Sequence, residues 1–180
     1  MNTNGSLLWM ALIAAVLIVP VEGDRHIGVI VNRPTRRSLS SLFPEHQPSK
    51  KVAEPVFFGG PMSRGAVVAL VHSEKEPARG AIGLTKEMYL AMTVNIVDKV
   101  IEETPNDARY YVGYIVWRPG ELRSEIDRKV WNVVNASPDV VFRKDTSNLW
   151  EELSRMARAI TASVDDGELL AETLPAIAQH

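Results

Sequence analysis

The sequence predicts an α/β (or α+β) protein: a compact three-layer single domain with a mixed β-sheet flanked by about three helices. Three observations lead there. Apolar runs of strand length interleave with three stretches whose apolar residues recur at helical spacing. The connections between several strands are too short for regular crossover helices, which favours a mixed sheet over a doubly wound one. And 180 residues, with 46% hydrophobic and 23% charged side chains, suit one globular body.

The first strand is expected over residues 16–21, where Val16, Ile18 and Val19 are β-branched and Pro20 and Gly23 close the run. A second, 27–31, ends at Asn32-Arg33-Pro34, where proline holds Arg33 extended. Residues 38–43 suit a single helical turn stopped by Pro44. Strands follow over 55–58, ending at Gly59-Gly60-Pro61, and over 66–72, apolar on both faces and therefore central. After a brief strand at 81–84, Thr85 reads as an N-cap for a helix carrying Tyr89, Met92, Ile96, Val97, Val100 and Ile101 and ending before Pro105. Residues 109–117 alternate most clearly, with Tyr110, Val112, Tyr114 and Val116 against Tyr111, Gly113, Ile115 and Trp117. Glu121 opens an amphipathic helix with Leu122, Ile126 and Val130 inward, and residues 131–134 form a short strand. Asn148 and Glu151 resemble a capping box for a last helix with Leu149, Leu153, Met156 and Ile160 as its stripe.

The ends differ from this body, taken as residues 16–160. Residues 7–19 are an unbroken apolar run, too short for the roughly 20 residues of a membrane-spanning helix. The run has the length of a signal-peptide core, yet residues 1–6 carry no Lys or Arg. The expectation is therefore a cytoplasmic protein with no membrane span, residues 1–15 being a shortened first strand or a signal-like segment. Export is the alternative, should residues 1–23 act as a signal. Residues 161–180 hold four acids and no Lys or Arg, and read as an acidic, loosely held tail.

Composition narrows the chemistry. Twenty Lys+Arg against 22 Asp+Glu give a net charge of −2, without the basic excess that direct nucleic-acid binding uses. No helix-turn-helix pattern is present either. With no cysteine there is no thiolate nucleophile, disulfide or thiolate metal site. His26, His46, His72 and His180 include no metal-like pair, so neither metal nor other cofactor is expected. Ser63, Ser73 and Ser124 sit in no Gly-x-Ser-x-Gly elbow, and no catalytic residue is assigned.

Ligand-binding candidates remain at strand ends. Asn32-Arg33 can present a two-pronged cation to a carboxylate or phosphate, or Arg33 can be a structural arginine within its own fold. Gly59-Gly60 can bring backbone N–H groups to an anion, or simply make a tight turn, the favoured reading. Trp117-Arg118 precedes a helix start and can hold an anion, or Trp117 is core and Arg118 merely solvated.

Three motifs in order, Ile27-Gly28-Val29-Ile30-Val31-Asn32-Arg33-Pro34-Thr35, Phe58-Gly59-Gly60-Pro61 and Gly113-Tyr114-x-x-Trp117-x-Pro119-Gly120-x-Leu122-x-x-Glu125-Ile126, resemble the bacterial YqgE/AlgH family. Trp131 and Leu149-Trp150-Glu151 also match, so the resemblance runs from about Val16 to Ala159. It implies a three-layer α/β domain and brings no agreed reaction or catalytic residues. One branch of the family is linked to transcriptional control of exopolysaccharide synthesis. Members usually carry an earlier strand before the one at 16–21, where this chain has only about fifteen residues. The expected function is a non-enzymatic interaction or transcriptional-regulatory module, its partner a protein or a small anionic metabolite. The alternative is a binding domain or weak enzyme for an anionic small molecule.

Overall fold

The computed structural model describes residues 14–164 and 176–179. Along the chain come β1 (Ala15–Val21), β2 (Arg25–Ile30), β3 (Pro34–Ser38), helix α1 (Leu39–Leu42), a 3-10 turn (Gln47–Lys51), β4 (Pro55–Phe58) and β5 (Met62–His72). Then follow β6 (Ile82–Thr85), β7 (Met88–Ala91), α2 (Val94–Glu103), β8 (Ala108–Trp117) and α3 (Glu121–Asp127). The last elements are β9 (Asn132–Asn135), α4 (Pro138–Val141), α5 (Leu149–Val164) and β10 (Ala176–Gln179). The class is mixed α/β as expected, and three helices, α2, α3 and α5, exceed a single turn. No described helix is long and apolar enough to cross a membrane.

The chain divides into two compact units, a terminal unit through Asn32 and from Val116, and a mid-chain unit, Arg33–Ile115. In the terminal unit, β1 and β2 form an antiparallel hairpin from Val16↔Ile30 to Val21↔Arg25. Its tight loop needs positive φ twice, at Gly23 (75°) and Asp24 (54°), conformations that glycine and aspartate tolerate. The strand expected at 16–21 is thus present, and residues 14–19 are fully buried. Along the other edge of β1 runs β10, antiparallel, with Ala15↔Gln179 paired, and β9 lies on the far side of β10. Leu149, Leu153 and Ala157 seat α5 in the core, whereas Met156 and Ile160, expected in its stripe, are exposed.

The region read as a loose tail, 161–180, is corrected in part. Residues 161–164 finish α5, and 176–179, an Ala-Ile-Ala-Gln run free of charge, pair as β10. The four acids cluster between these pieces, in a stretch that lies outside the described residues, as do residues 1–13 of the apolar N-terminal segment.

The mid-chain unit orders its strands β6-β7-β5-β8-β4-β3, all neighbours antiparallel except β4 and β8, which run parallel. Helix α2 buries Ile96, Val97, Val100 and Ile101 in a core with Leu39, Val56, Ala69, Val71 and Tyr110. That helix begins after Thr93, eight residues beyond the cap expected at Thr85. Thr85 instead ends β6, and its hydroxyl accepts the Glu87 N–H at 3.2 Å inside a hairpin turn. Met88 and Leu90 are buried as strand residues paired to β5. The alternation of β8 breaks at Gly113, whose φ is 72° and beside which the β5 register shifts.

Candidate functional site

Three of the six residues singled out at strand ends belong to the terminal unit. Asn32 Oδ1 accepts the Ala15 N–H at 3.0 Å, which ties the exit of β2 to the start of β1. Trp117 is 4% exposed, and its indole N–H donates to Glu125 Oε2 at 2.9 Å. The same oxygen accepts the Trp131 N–H at 2.6 Å, and the two indoles meet edge to face at 6.0 Å. Gly28 leaves room for this cluster, because a Cβ there would stand 2.6 Å from the Trp117 ring. Trp117 is therefore core, with its polar atom consumed. Arg118 is exposed, and its backbone N–H donates to Glu121 Oε2 at 2.7 Å.

Arg33, Gly59 and Gly60 belong to the mid-chain unit. A Cβ on Gly59 would lie 2.3 Å from the Gly113 carbonyl oxygen, and one on Gly60 2.3 Å from the Tyr114 carbonyl carbon. Two backbones cross here at a distance only glycine permits, and the Gly59 N–H is already donated to the Val112 carbonyl at 2.9 Å. The pair serves that crossing. Arg33 accepts the Phe58 N–H on its carbonyl at 2.8 Å, while its guanidinium is half-buried with Nη2 lacking an acceptor. Burial alone pulls this guanidinium below the usual arginine pKa.

The mid-chain unit also holds a groove of about 310 Å³ that strand-end reasoning missed. Its floor includes Leu42, Val67 and Val112, partly buried side chains that continue the core under α2. Phe43 and Phe58 add aromatic walls, and Phe43 is 38% exposed. Arg37 from β3 and Arg64 from β5 stand at the groove, both exposed, and neither side chain has a hydrogen bond or ion pair among the described residues. Thr35 fixes the approach of β3: its hydroxyl donates to the Val56 carbonyl at 2.6 Å and accepts the Arg37 N–H at 3.1 Å.

Hydrocarbon left open among the described residues, beside two cations with no partner there, is suited to hold an anion that carries an apolar body. Among the described residues the lining brings no carboxylate or imidazole to the groove, and no cluster able to ligate a metal is present. The sequence signal for the groove is faint. It is Arg36-Arg37 directly after Pro34-Thr35, together with Arg64-Gly65, cations in segments too polar to belong to a core.

Comparison with known proteins agrees on lineage. The chain is 28% identical over 148 residues to a UPF0301 protein of Mycobacterium tuberculosis, covering 79% of this chain and 72% of that one. It is 31% identical over 136 residues to one of Ruegeria pomeroyi, covering 71% and 72%. In fold it matches the solution structure of the AlgH protein from Pseudomonas aeruginosa, with TM-score 0.65, 16% identity and coverage of 88% and 86%. A crystal structure from Corynebacterium diphtheriae matches with TM-score 0.64, 22% identity and coverage of 79% and 76%. The family model described as AlgH-like matches residues 13–160, and this chain belongs to the AlgH-like family.

Proposed function

We propose that this chain is a non-catalytic binding module whose mid-chain groove takes an anionic ligand with an apolar body. The observation that carries the reading is that Arg37 and Arg64, unmatched among the described residues, stand beside an apolar floor that continues the core. A charged side chain at a fold's surface is usually either solvated alone or matched by a neighbour. Two unmatched guanidiniums beside exposed phenylalanine are poised for a partner that supplies both charge and hydrocarbon. In the regulatory setting expected of the family resemblance, occupancy of the groove is the signal and a protein partner reads it.

The test is titration with 8-anilinonaphthalene-1-sulfonate, an anionic aromatic probe whose emission rises in apolar surroundings. The full chain is expected to bind it saturably. Arg37→Ala and Arg64→Ala are each expected to weaken binding about tenfold, since a hydrogen bond to a charged group contributes roughly 1.5 kcal/mol or more. Unchanged titrations in both variants, with native melting curves, would overturn the reading.

A further inference from the structure

Resting on that reading of the groove, we propose that its ligand is a compact monocarboxylic acid, held head-out between Arg37 and Arg64 with its hydrocarbon laid on Leu42, Phe43 and Phe58. Shape and charge both point to this class. A guanidinium presents a planar fork that matches the two oxygens of a carboxylate, and the groove offers two such forks and no lysine among its lining residues. The remaining surface is mostly hydrocarbon. A sugar phosphate or a dicarboxylate would set polar atoms against Leu42, Phe43 and Phe58 and leave them without partners.

Size sets the limit. At roughly 30 Å³ for a water-sized molecule in the liquid, a groove of about 310 Å³ has room for about ten non-hydrogen atoms, the size of octanoate or of an aryl acid of similar bulk. A longer chain would leave its end in water and gain nothing from it.

Gly65 provides a place to add bulk in the groove's lining without changing either arginine. It lies in the lining, exposed, with ordinary φ, and a Cβ built on it meets no atom within 4 Å. Gly65→Leu therefore places a side chain at the groove without strain at the backbone.

The experiment is displacement of the anilinonaphthalene probe from the full chain by butyrate, hexanoate, octanoate and dodecanoate, with 3-phenylpropanoate and inorganic phosphate alongside. Burial of one methylene is worth about 0.8 kcal/mol, or about fourfold in affinity when complete. In this open groove the expected rise is about two- to fourfold per methylene through octanoate, flattening by dodecanoate. The phenyl acid should match octanoate, and phosphate should displace the probe only at far higher concentration. Gly65→Leu should shrink the gain from chain length, weakening octanoate and the phenyl acid more than butyrate, and Arg37→Ala or Arg64→Ala should weaken every acid alike.

Equal affinity across the series, or displacement by phosphate as effective as by octanoate, overturns the carboxylic-acid assignment. In that outcome the broader reading still stands if probe binding depends on Arg37 and Arg64. Probe binding indifferent to both arginines removes the two together.

Discussion

Arg109 and Arg64 stand on adjacent strands of one sheet and live in opposite circumstances. Arg109, on β8, is 1% exposed; its Nε and Nη2 reach both oxygens of Glu54 at 2.7 and 3.2 Å, and its guanidinium lies 4.6 Å over the Phe57 ring. Arg64, on β5, shares the groove with Arg37, and among the described residues neither of these two guanidiniums has an acceptor. A buried cation must be matched internally or the fold bears its desolvation, whereas an exposed one can wait for a ligand at little cost. The contrast separates arginines that hold the fold from arginines that the proposed groove leaves open to a ligand. The terminal unit shows the matched extreme again, in a single Glu125 oxygen serving two indoles.

The largest effect is expected at the matched end. Glu54→Ala should lower unfolding free energy by about 3 kcal/mol, because it takes the carboxylate from a guanidinium already out of water. Urea denaturation measures it, and a loss below about 1 kcal/mol would show that the pair is not what holds this part of the sheet. Next comes Glu125→Ala, expected to cost about 2 kcal/mol by depriving two indole N–H groups of their acceptor. Glu125→Gln, which keeps an acceptor oxygen, should cost less than half as much. Tryptophan emission, followed through the same transition, includes the signal of both indoles of the cluster.

A smaller, pH-dependent effect belongs to Arg143 and Glu152, paired in the terminal unit. Hydrogen bonds from Arg143 hold the Glu152 carboxyl below the usual carboxylate range. A depressed folded pKa means the contribution is complete above the unfolded value, about 4.3, and disappears as pH falls through the folded one. Both side chains are partly exposed, so Glu152→Gln should cost less than about 1 kcal/mol at pH 7, and progressively less as pH falls below the unfolded value. Smallest of all, Arg37→Ala and Arg64→Ala should leave stability within about 0.5 kcal/mol of the parent. A large loss of melting temperature in either would move that arginine into the fold-holding class.

Much of the architecture was legible because strand segments are apolar, β-branched or aromatic runs between breakers. Residues 109–117 are rich in tyrosine and valine, residues 16–21 are β-branched between breakers, and both are strands. The misread stretch, 85–93, lacks turn chemistry: Lys86 and Glu87 form the bend between β6 and β7 with neither glycine nor asparagine. Met88, Tyr89 and Leu90 then fit a helical stripe as easily as a strand. Gly59 and Gly60 were visible as glycines, but the backbone they approach, at Gly113, is more than fifty residues away and leaves no local mark. The groove was hardest, because its members come from β3, α1, β4, β5 and β8, and only the sheet brings them together.

The hairpin and its late partner also set a schedule for synthesis. Every strand of the mid-chain unit is contiguous in sequence, so that unit can close once residue 115 has left the ribosome. The terminal unit must wait. β1 is made long before its described outer neighbour, residues 176–179, with Ala15 joined to Gln179 across a large sequence separation. β9 waits too, since β10 is the neighbour that links it to β1. A nascent chain halted before residue 176 would carry the apolar edge of β1 open, the form in which strands pair with the wrong molecule.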